Sequence, residues 1–569
     1  MIQFRKEITK MKAYSPPLEG RENYLCLDFN EKTIQPSKKI LKQLQKMDFK
    51  KLNQYPSYSK AINALAKYWK ISTEQVLLTN GSNEAIKVCM DAAVGVGNEI
   101  LLMTPSYKMY EVYGQASFGK IKKIKLNADY SFPVKKIIQG INKKTALIII
   151  CNPNSPTGTM ISKKELEQVL KKAKNALVLV DEAYGEFNNT TCIGLTKKYG
   201  NLGVVKTLAK AYGLAGIRLG YIIGNQKIIQ ELKKVKAPYT VNTIAADIIP
   251  TALTDQTGMK RYVQEIQKSK KILYKKLKKE KISFTPSKTN FVLIDFREKK
   301  DLVFNGLKNE KVLVRDVSQQ LGLTGCLRIT VGTVDQTKYL IQKLDQILNK
   351  PLLIFDLDGV LIDVTQSYRK AIQKTVQFFT GKKIKENEIQ ELKNTGNYNN
   401  DWKLSQKLIQ INGKKVKFEK VRRKFQEYYL GKNWAGLILS ERILVKLKLL
   451  EKLSEQYSLS IFTGRPKKEA LFALNKLGLA RYFKEIICLE DTGEKMKPNP
   501  FGLNLILKKY NRKNAIYIGD SMEDIWAAKK AGIQTIGIAK RKEKKLKKLF
   551  LNEKIQVIEN VNQIEKVLP

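Results

Sequence analysis

The sequence predicts an α/β protein of two modules, each built on a mostly parallel sheet. Three observations carry this. At 569 residues the chain is too long for one ordinary core. Short β-rich apolar runs alternate throughout with amphipathic helices rich in Lys, Leu and Ile, the pattern of strands joined by crossover helices. The strand pattern also restarts: a helical stretch, Tyr339–Leu348, is followed at once by a new apolar run beginning at Leu352.

In the first series the predicted strands are Val76–Thr79, Ile100–Met103, Leu147–Cys151, Leu177–Asp181, Val204–Leu208 and Tyr221–Gly224. They are near-continuous apolar runs, as strands covered by helices on both faces are. The second series is Leu352–Asp356, Leu459–Thr463, Ala515–Gly519 and Thr535–Ile538, interrupted by a mostly helical stretch at Ser367–Ser440. The boundary is placed at Lys350–Pro351, giving modules 1–349 and 350–569.

Composition narrows the class. Hydrophobic residues at 43% and aromatics at 9% suit globular folding and exclude a disordered chain. No apolar run approaches the roughly 20 residues of a membrane span. The charged opening Met1–Lys12 lacks the apolar core of a secretory signal, so a cytoplasmic protein without a membrane partner is expected. The 6 cysteines are scattered without metal or disulfide spacing. Lys+Arg 104 against Asp+Glu 53 gives +51, which invites a nucleic-acid reading. The lysines are spread along both modules, however, with no basic tail, zinc pattern or aromatic-basic motif. Solvated faces are therefore expected, with attraction for phosphorylated substrates and no nucleic-acid partner. Histidine is absent (His 0), so acid–base and metal chemistry must run on other groups.

The first module carries a lysine, a carboxylate and an anion cup in order. Lys210 lies in Thr207-Leu-Ala-Lys-Ala-Tyr-Gly-Leu-Ala-Gly-Ile-Arg218, where small apolar neighbours would desolvate its amine and make it nucleophilic toward a carbonyl carbon. Arg218 can grip a phosphate dianion with its fork. Asp181 ends an apolar strand, where a buried carboxylate can keep a pyridine nitrogen protonated. Asn80-Gly-Ser-Asn-Glu84 opens a helix, and the amides of Gly81, Ser82 and Asn83 form a natural anion site.

In this combination the stretch from about residue 10 to 348 resembles the fold-type I aminotransferases, and within them the histidinol-phosphate aminotransferase family. The likeness rests on Leu27-Asp-Phe-Asn-Glu31, Gln54-Tyr-Pro-Ser57, Pro105-Ser-Tyr-Lys-Met-Tyr110, Asn152-Pro-Asn-Ser-Pro-Thr-Gly158 and Gly325-Cys-Leu-Arg-Ile-Thr-Val-Gly332. It implies a large mostly parallel domain plus a small one, pyridoxal 5'-phosphate as cofactor, and a homodimer. It further implies Lys210 as cofactor lysine and proton shuttle, Asp181 as pyridine partner, Tyr184 as partner of the phenolic oxygen, Tyr107 as stacking ring and Arg218 as phosphate ligand. Tyr55 would reach the neighbouring subunit's cofactor. Arg328 would hold the carboxylate of glutamate, the amino donor that leaves as 2-oxoglutarate. Arg315 and Tyr14 would surround the substrate. Two positions depart from the pattern. Ser155 replaces an asparagine, so either Asn154 or Ser155 contacts the cofactor, and Ala209 replaces a phosphate-binding serine.

In the second module, Leu352-Leu-Ile-Phe-Asp-Leu-Asp358 ends a buried strand in two carboxylates. One can attack phosphorus and the other can protonate the leaving group. Thr463 ends the next strand with a hydroxyl for phosphoryl oxygens, Lys497 supplies fixed positive charge, and Asp520 and Asp524 suit Mg²⁺. The four motifs together resemble the haloacid dehalogenase-like hydrolases. That implies a Rossmann-like domain with a helical cap at about 367–440 and a metal set of Asp356, Asp358, Asp520 and Asp524. The polar-aromatic run Gly396-Asn-Tyr-Asn-Asn-Asp-Trp402 is read either as a substrate-selecting element of the cap or as a loop and helix start.

A transaminase yielding a phosphorylated amino alcohol, joined to a phosphatase, suggests consecutive steps: imidazole-acetol phosphate to histidinol phosphate, then to histidinol. The alternatives are a threonine-phosphate decarboxylase or aromatic aminotransferase joined to a phosphoglycolate-type or sugar-phosphate phosphatase.

Overall fold

The computed structural model describes residues 2–11, 13, 19–394, 400–493, 495–510 and 512–568. The chain folds into two compact units, Met1–Leu344 and Asp345–Pro569. Both are α/β, as the sequence predicts.

The strands of the first unit are β1 (Leu25–Leu27), β2 (Val76–Asn80), β3 (Glu99–Thr104), β4 (Lys120–Lys125), β5 (Thr145–Cys151), β6 (Leu177–Asp181), β7 (Leu202–Thr207), β8 (Leu219–Gly224), β9 (Ser283–Thr285), β10 (Phe291–Asp295), β11 (Val312–Asp316) and β12 (Cys326–Thr330). Seven form the main sheet in the order β2-β8-β7-β6-β5-β3-β4. Only β8 runs against its neighbours β2 and β7, while β3 to β7 are parallel. The inner strands are buried along nearly their whole length, which is why they read as unbroken apolar runs. The edge strand β4 reads Lys-Ile-Lys-Lys-Ile-Lys, and its lysines keep the edge in water, so the apolar criterion does not find it. A smaller five-stranded sheet, β1-β11-β12-β10-β9, brings the N-terminal segment beside β11 and β12.

The second unit contains β13 (Leu352–Phe355), β14 (Ile362–Asp363), β15 (Arg442–Ile443), β16 (Ser458–Phe462), β17 (Glu485–Ile487), β18 (Ala515–Gly519), β19 (Gln534–Ile538) and β20 (Gln556–Ile558). Six of them make an all-parallel sheet, β17-β16-β13-β18-β19-β20. Between β14 and β15, which pair with each other, lies a helical cap. Its helices are Tyr368–Thr380, Glu386–Asn394, Asp401–Ile411 and Phe418–Tyr429. The cap has its own apolar core around Ile372, Val376, Leu404, Val421, Phe425 and Tyr429. No helix among the described residues is long and apolar enough to cross a membrane.

Candidate active sites

In the first unit the candidate residues gather at the carboxyl ends of the parallel strands, where an open α/β sheet leaves its crevice. Asp181 is the last residue of β6, and Lys210 follows β7. Tyr107 follows β3, and the loop 152–158 follows β5. Helix α1 (Gly81–Ala93) starts directly after β2.

The anion cup is assembled from two chain segments. Asn80 at the N-cap of α1 makes no side-chain capping bond, so the first amides are left to another acceptor. Arg218, in the left-handed region at φ 61, presses its guanidinium on Gly81: a Cβ at Gly81 would lie 2.6 Å from Nη2. Gly81 is itself at φ +72, so both its conformation and its missing side chain are needed there. Tyr107 donates its hydroxyl to Asn83 Oδ1 at 3.0 Å, which sets its ring beside the cup.

Lys210 is partly buried, and its amine donates to the Phe29 carbonyl at 3.0 Å. Burial, helped by Arg328 and Arg218, lowers its pKa to about 8. Its Nζ lies 5.9 Å from the centre of the Tyr184 ring. Asp181 accepts from the Tyr110 hydroxyl at 2.7 Å and from the Ala183 amide at 3.0 Å. Burial raises its pKa, and the Tyr110 and Ala183 hydrogen bonds oppose that rise. A ring-nitrogen cation beside it would favour the ionised form. The uncapped helix start beside Arg218 fits a phosphate, the buried Asp181 fits a protonated pyridine, and the low-pKa Lys210 fits an aldehyde. The donor set therefore suits pyridoxal phosphate.

In the loop after β5, Asn154 and Ser155 have different partners. The Asn154 amide is fully used inside the protein: Nδ2 donates to Pro105 O and Thr157 Oγ1, and Oδ1 accepts from Ser106. Ser155 instead accepts from Arg328 Nη1 at 3.3 Å, so it borders the arginine. Arg328 also donates to the Asp28 carbonyl at 2.5 Å. Arg315 is its register partner across β11 and β12, with its guanidinium 5.7 Å from the Phe29 ring. Tyr55 is 79% exposed and stacks on Tyr239 at 4.3 Å. Tyr14 lies outside the described residues.

Motif matching passed over two supporting residues. Tyr110, which holds Asp181, lies one helical turn beyond Tyr107. Asn30 donates its amide to the Tyr184 hydroxyl at 2.8 Å and bonds Thr330 with both its backbone and its side chain. Both are within motifs already quoted, and burial of a polar partner is the signal that singles them out.

In the second unit Asp356 follows the central strand β13, Thr463 follows β16, and Asp520 follows β18. Asp356, Asp520 and Asp524 each offer an oxygen, all within 4.8 Å of one another. Lys497 bridges Asp356 at 2.8 Å and Asp524 at 2.7 Å. Burial opposes its charge, but the two carboxylates outweigh it and raise its pKa. Burial and the neighbouring carboxylates raise the pKa values of Asp356 and Asp520, partly countered by Lys497 at Asp356 and by Lys393 and Lys497 at Asp520. Three crowded carboxylates bridged by Lys497 are short of positive charge, and all-oxygen ligation suits Mg²⁺. Gly359 at φ +77 lets the loop pass Asp520, because a Cβ there would collide with that carboxylate. Asp524 is held on all sides: Tyr517 and Lys497 reach Oδ1, and the Ser521 amide and hydroxyl reach Oδ2.

Asp358, expected among the metal carboxylates, is paired elsewhere through its side chain. Its side chain is outside the cluster and is taken by Arg465, whose Nε donates to Oδ1 at 2.6 Å. A buried guanidinium competes for that carboxylate more strongly than water does. The run 396–402 is divided. Gly396–Asn399 falls outside the described residues. Asn400 caps the next cap helix through Trp402 N and Lys403 N, and Trp402 is buried in the cap core with Arg422 over its ring at 4.6 Å. For Asn400–Trp402 the structural reading applies.

Residues 22–344 match the family described as aminotransferase class I and II, and residues 353–538 match haloacid dehalogenase-like hydrolase. A histidinol-phosphate aminotransferase of Thermoanaerobacter pseudethanolicus is 36% identical over 350 residues, covering 60% of this chain and 98% of the relative. One from Clostridium novyi is 34% identical over 346 residues, covering 59% and 95%. Among solved structures, the histidinol-phosphate aminotransferase from Clostridium acetobutylicum matches with TM-score 0.53 at 24% identity, covering 57% of this chain and 98% of that one. The Sinorhizobium meliloti enzyme in complex with pyridoxal-5'-phosphate matches with TM-score 0.56 at 19% identity, covering 61% and 98%. At these identities the solved structures speak to the fold.

Proposed function

The chain belongs to the class I and II aminotransferase family and carries a haloacid dehalogenase-like hydrolase domain, and on that premise we propose that it transaminates imidazole-acetol phosphate with glutamate and then removes the phosphate from the histidinol phosphate formed. For the first reaction the carrying observation is the partly buried Lys210 with Asp181, Tyr184 and Arg218 around one crevice. Relatives named for that reaction, covered over 95–98% of their length, favour the substrate. For the second, the support is the fusion itself and the Asp356 centre. A chain without histidine is compatible with an enzyme needed when histidine is scarce.

Pyridoxal phosphate, when bound, supplies an electron-withdrawing ring. Arg218 and the amides of Gly81, Ser82 and Asn83 would hold its phosphate, and Tyr107 would cover a ring face. Asp181 would keep the ring nitrogen protonated. Tyr184, steered by Asn30, and Ser155 would face the phenolic oxygen. Lys210 would take and return the proton of the substrate α-carbon. Arg328, with Arg315 beside it, holds the substrate carboxylate or phosphate. A homodimer through the first unit would give exposed Tyr55 a partner's cofactor to reach.

In the second unit Asp356 attacks phosphorus, so an Asp356–phosphorus bond forms as the bond to the alcohol oxygen breaks. Asp358 gives that oxygen a proton and later takes one from the water that releases phosphate. Thr463 and Lys497 hold the phosphoryl oxygens. Asp356 and Asp520 are the carboxylates best placed for Mg²⁺, with Asp524 fixing Lys497.

Two outcomes are expected here. Loading of pyridoxal phosphate onto the apoprotein requires a neutral Lys210 amine. Its rate, followed by absorbance, should therefore rise as pH increases through about 8 and level off above it. A lysine left at its ordinary value would show the rise about two units higher. Second, among histidinol phosphate, phosphoglycolate and pyridoxal phosphate, histidinol phosphate should give the highest kcat/KM. EDTA should abolish hydrolysis of all three and leave transamination intact. Preference for another of these phosphates would overturn the assigned phosphatase substrate.

A further inference from the structure

Within the hydrolase unit, a buried polar network that the reaction scheme does not use surrounds Arg465. Its side chain is 1% exposed. The guanidinium pairs with Asp358 on one edge through Nε and Nη2. On the other edge it pairs with Glu441, Nη1 to Oε2 at 3.0 Å and Nη2 to Oε1 at 3.1 Å. Nη1 also donates to the Tyr429 hydroxyl at 3.3 Å, and Tyr429 in turn donates to Glu441 at 3.0 Å. Tyr368 stacks on Tyr429 at 4.2 Å, lies 5.0 Å from the guanidinium, and donates to Glu469 at 2.7 Å.

The placement of these residues gives the network its meaning. Ser367 and Glu441 stand where the chain enters and leaves the cap, and the Ser367 hydroxyl ties the two crossings together by donating to Glu441 at 2.9 Å. Tyr368 and Tyr429 belong to cap helices, while Arg465 and Asp358 belong to the sheet domain. A single guanidinium thus joins the acid–base carboxylate to the hinge of the cap. Binding of substrate phosphate by Arg465 does not fit, because the guanidinium is buried and each of its nitrogens already donates to a protein acceptor. The planar fork reaches the two carboxylates on opposite edges through three separate nitrogens, a geometry that the single nitrogen of an ammonium does not reproduce.

We propose that Arg465 is a positioning residue for the phosphohydrolase reaction: it holds the Asp358 carboxylate clear of the metal cluster to serve the leaving-group oxygen, and Glu441 with the cap tyrosines Tyr429 and Tyr368 locks it in that pose. This rests on the reading of the second unit as an aspartate-nucleophile phosphohydrolase. Cap position and proton delivery are then coupled, because displacing the cap takes Glu441 and Tyr429 from the guanidinium.

The test compares kcat/KM, which reports the steps through departure of the leaving group, for two Mg²⁺-supported substrates. Histidinol phosphate releases an alkoxide that needs a proton, and p-nitrophenyl phosphate releases a phenolate that does not. Arg465→Lys should lower kcat/KM on histidinol phosphate about 100-fold and on p-nitrophenyl phosphate less than about 10-fold. Tyr429→Phe keeps the ring stack and loses one hydroxyl. It should cost about 10-fold on the first substrate and less than about 3-fold on the second. Equal losses on both substrates, or full activity in both variants, would overturn the proposal. A parent chain that hydrolyses neither substrate overturns the phosphohydrolase reading beneath it.

Discussion

Replacing Lys210 with alanine is expected to abolish transamination, by about 10⁴-fold or more, while phosphomonoester hydrolysis continues at the parent rate. The substitution removes the one amine in the crevice whose pKa burial brings to about 8. It leaves Asp181 on Tyr110, Tyr184 on Asn30, and Arg218 against Gly81, since none of these contacts involves the lysine. Pyridoxal phosphate should therefore still bind through its phosphate and ring nitrogen, without covalent attachment or proton transfer. Truncating the stem forfeits some apolar contact and relieves a desolvated amine, so the two effects on stability oppose each other. The readouts are glutamate-dependent amino transfer, the visible absorbance of the bound cofactor, and phosphate release. Loss of phosphate release in the same variant would show that the two units do not work independently.

Asp356→Asn is expected to do the reverse, with a phosphatase loss of about 10⁴-fold and transamination unchanged. The amide is isosteric and its oxygen can still accept from Lys497, so the lysine bridge to Asp524 survives. The amide is a poor nucleophile toward phosphorus and offers the metal no charge. Removing one of three crowded carboxylates also lowers their mutual repulsion, so folding stability should hold or rise while Mg²⁺ affinity falls. Thermal unfolding with and without Mg²⁺ measures both: the metal should raise the parent's Tm more than the variant's.

The parts of the molecule legible in the sequence are those where one physical demand acts on a contiguous stretch. Strands buried on both faces are apolar throughout, so β5, β6, β7, β13 and β18 stand out, and polar residues at their carboxyl ends mark the crevice. Elements under weaker or mixed demands do not stand out. The edge strand β4 needs lysines on its exposed side, and β9 and β17 are too short for any period to show. Trp402 belongs to a run polar enough to read as a loop, yet the helix that Asn400 caps turns it into the cap core. Side-chain partnerships across long separations are the least visible. Asp358 bears the residue type and spacing of a metal ligand, and only the fold brings Arg465, Glu441 and Tyr429 around it. Asn154 and Ser155 are equivalent candidates in sequence, and packing alone commits Asn154 to Pro105 and Thr157.

The central claim is that one chain performs both steps in succession. Its most direct test is to incubate the full chain, loaded with pyridoxal phosphate, with imidazole-acetol phosphate and glutamate, with and without Mg²⁺. Without the metal, histidinol phosphate should accumulate one-for-one with 2-oxoglutarate. With it, histidinol and inorganic phosphate should replace histidinol phosphate. Persistence of histidinol phosphate in the presence of Mg²⁺ would contradict the assigned second step, and failure to form it under either condition would contradict the first.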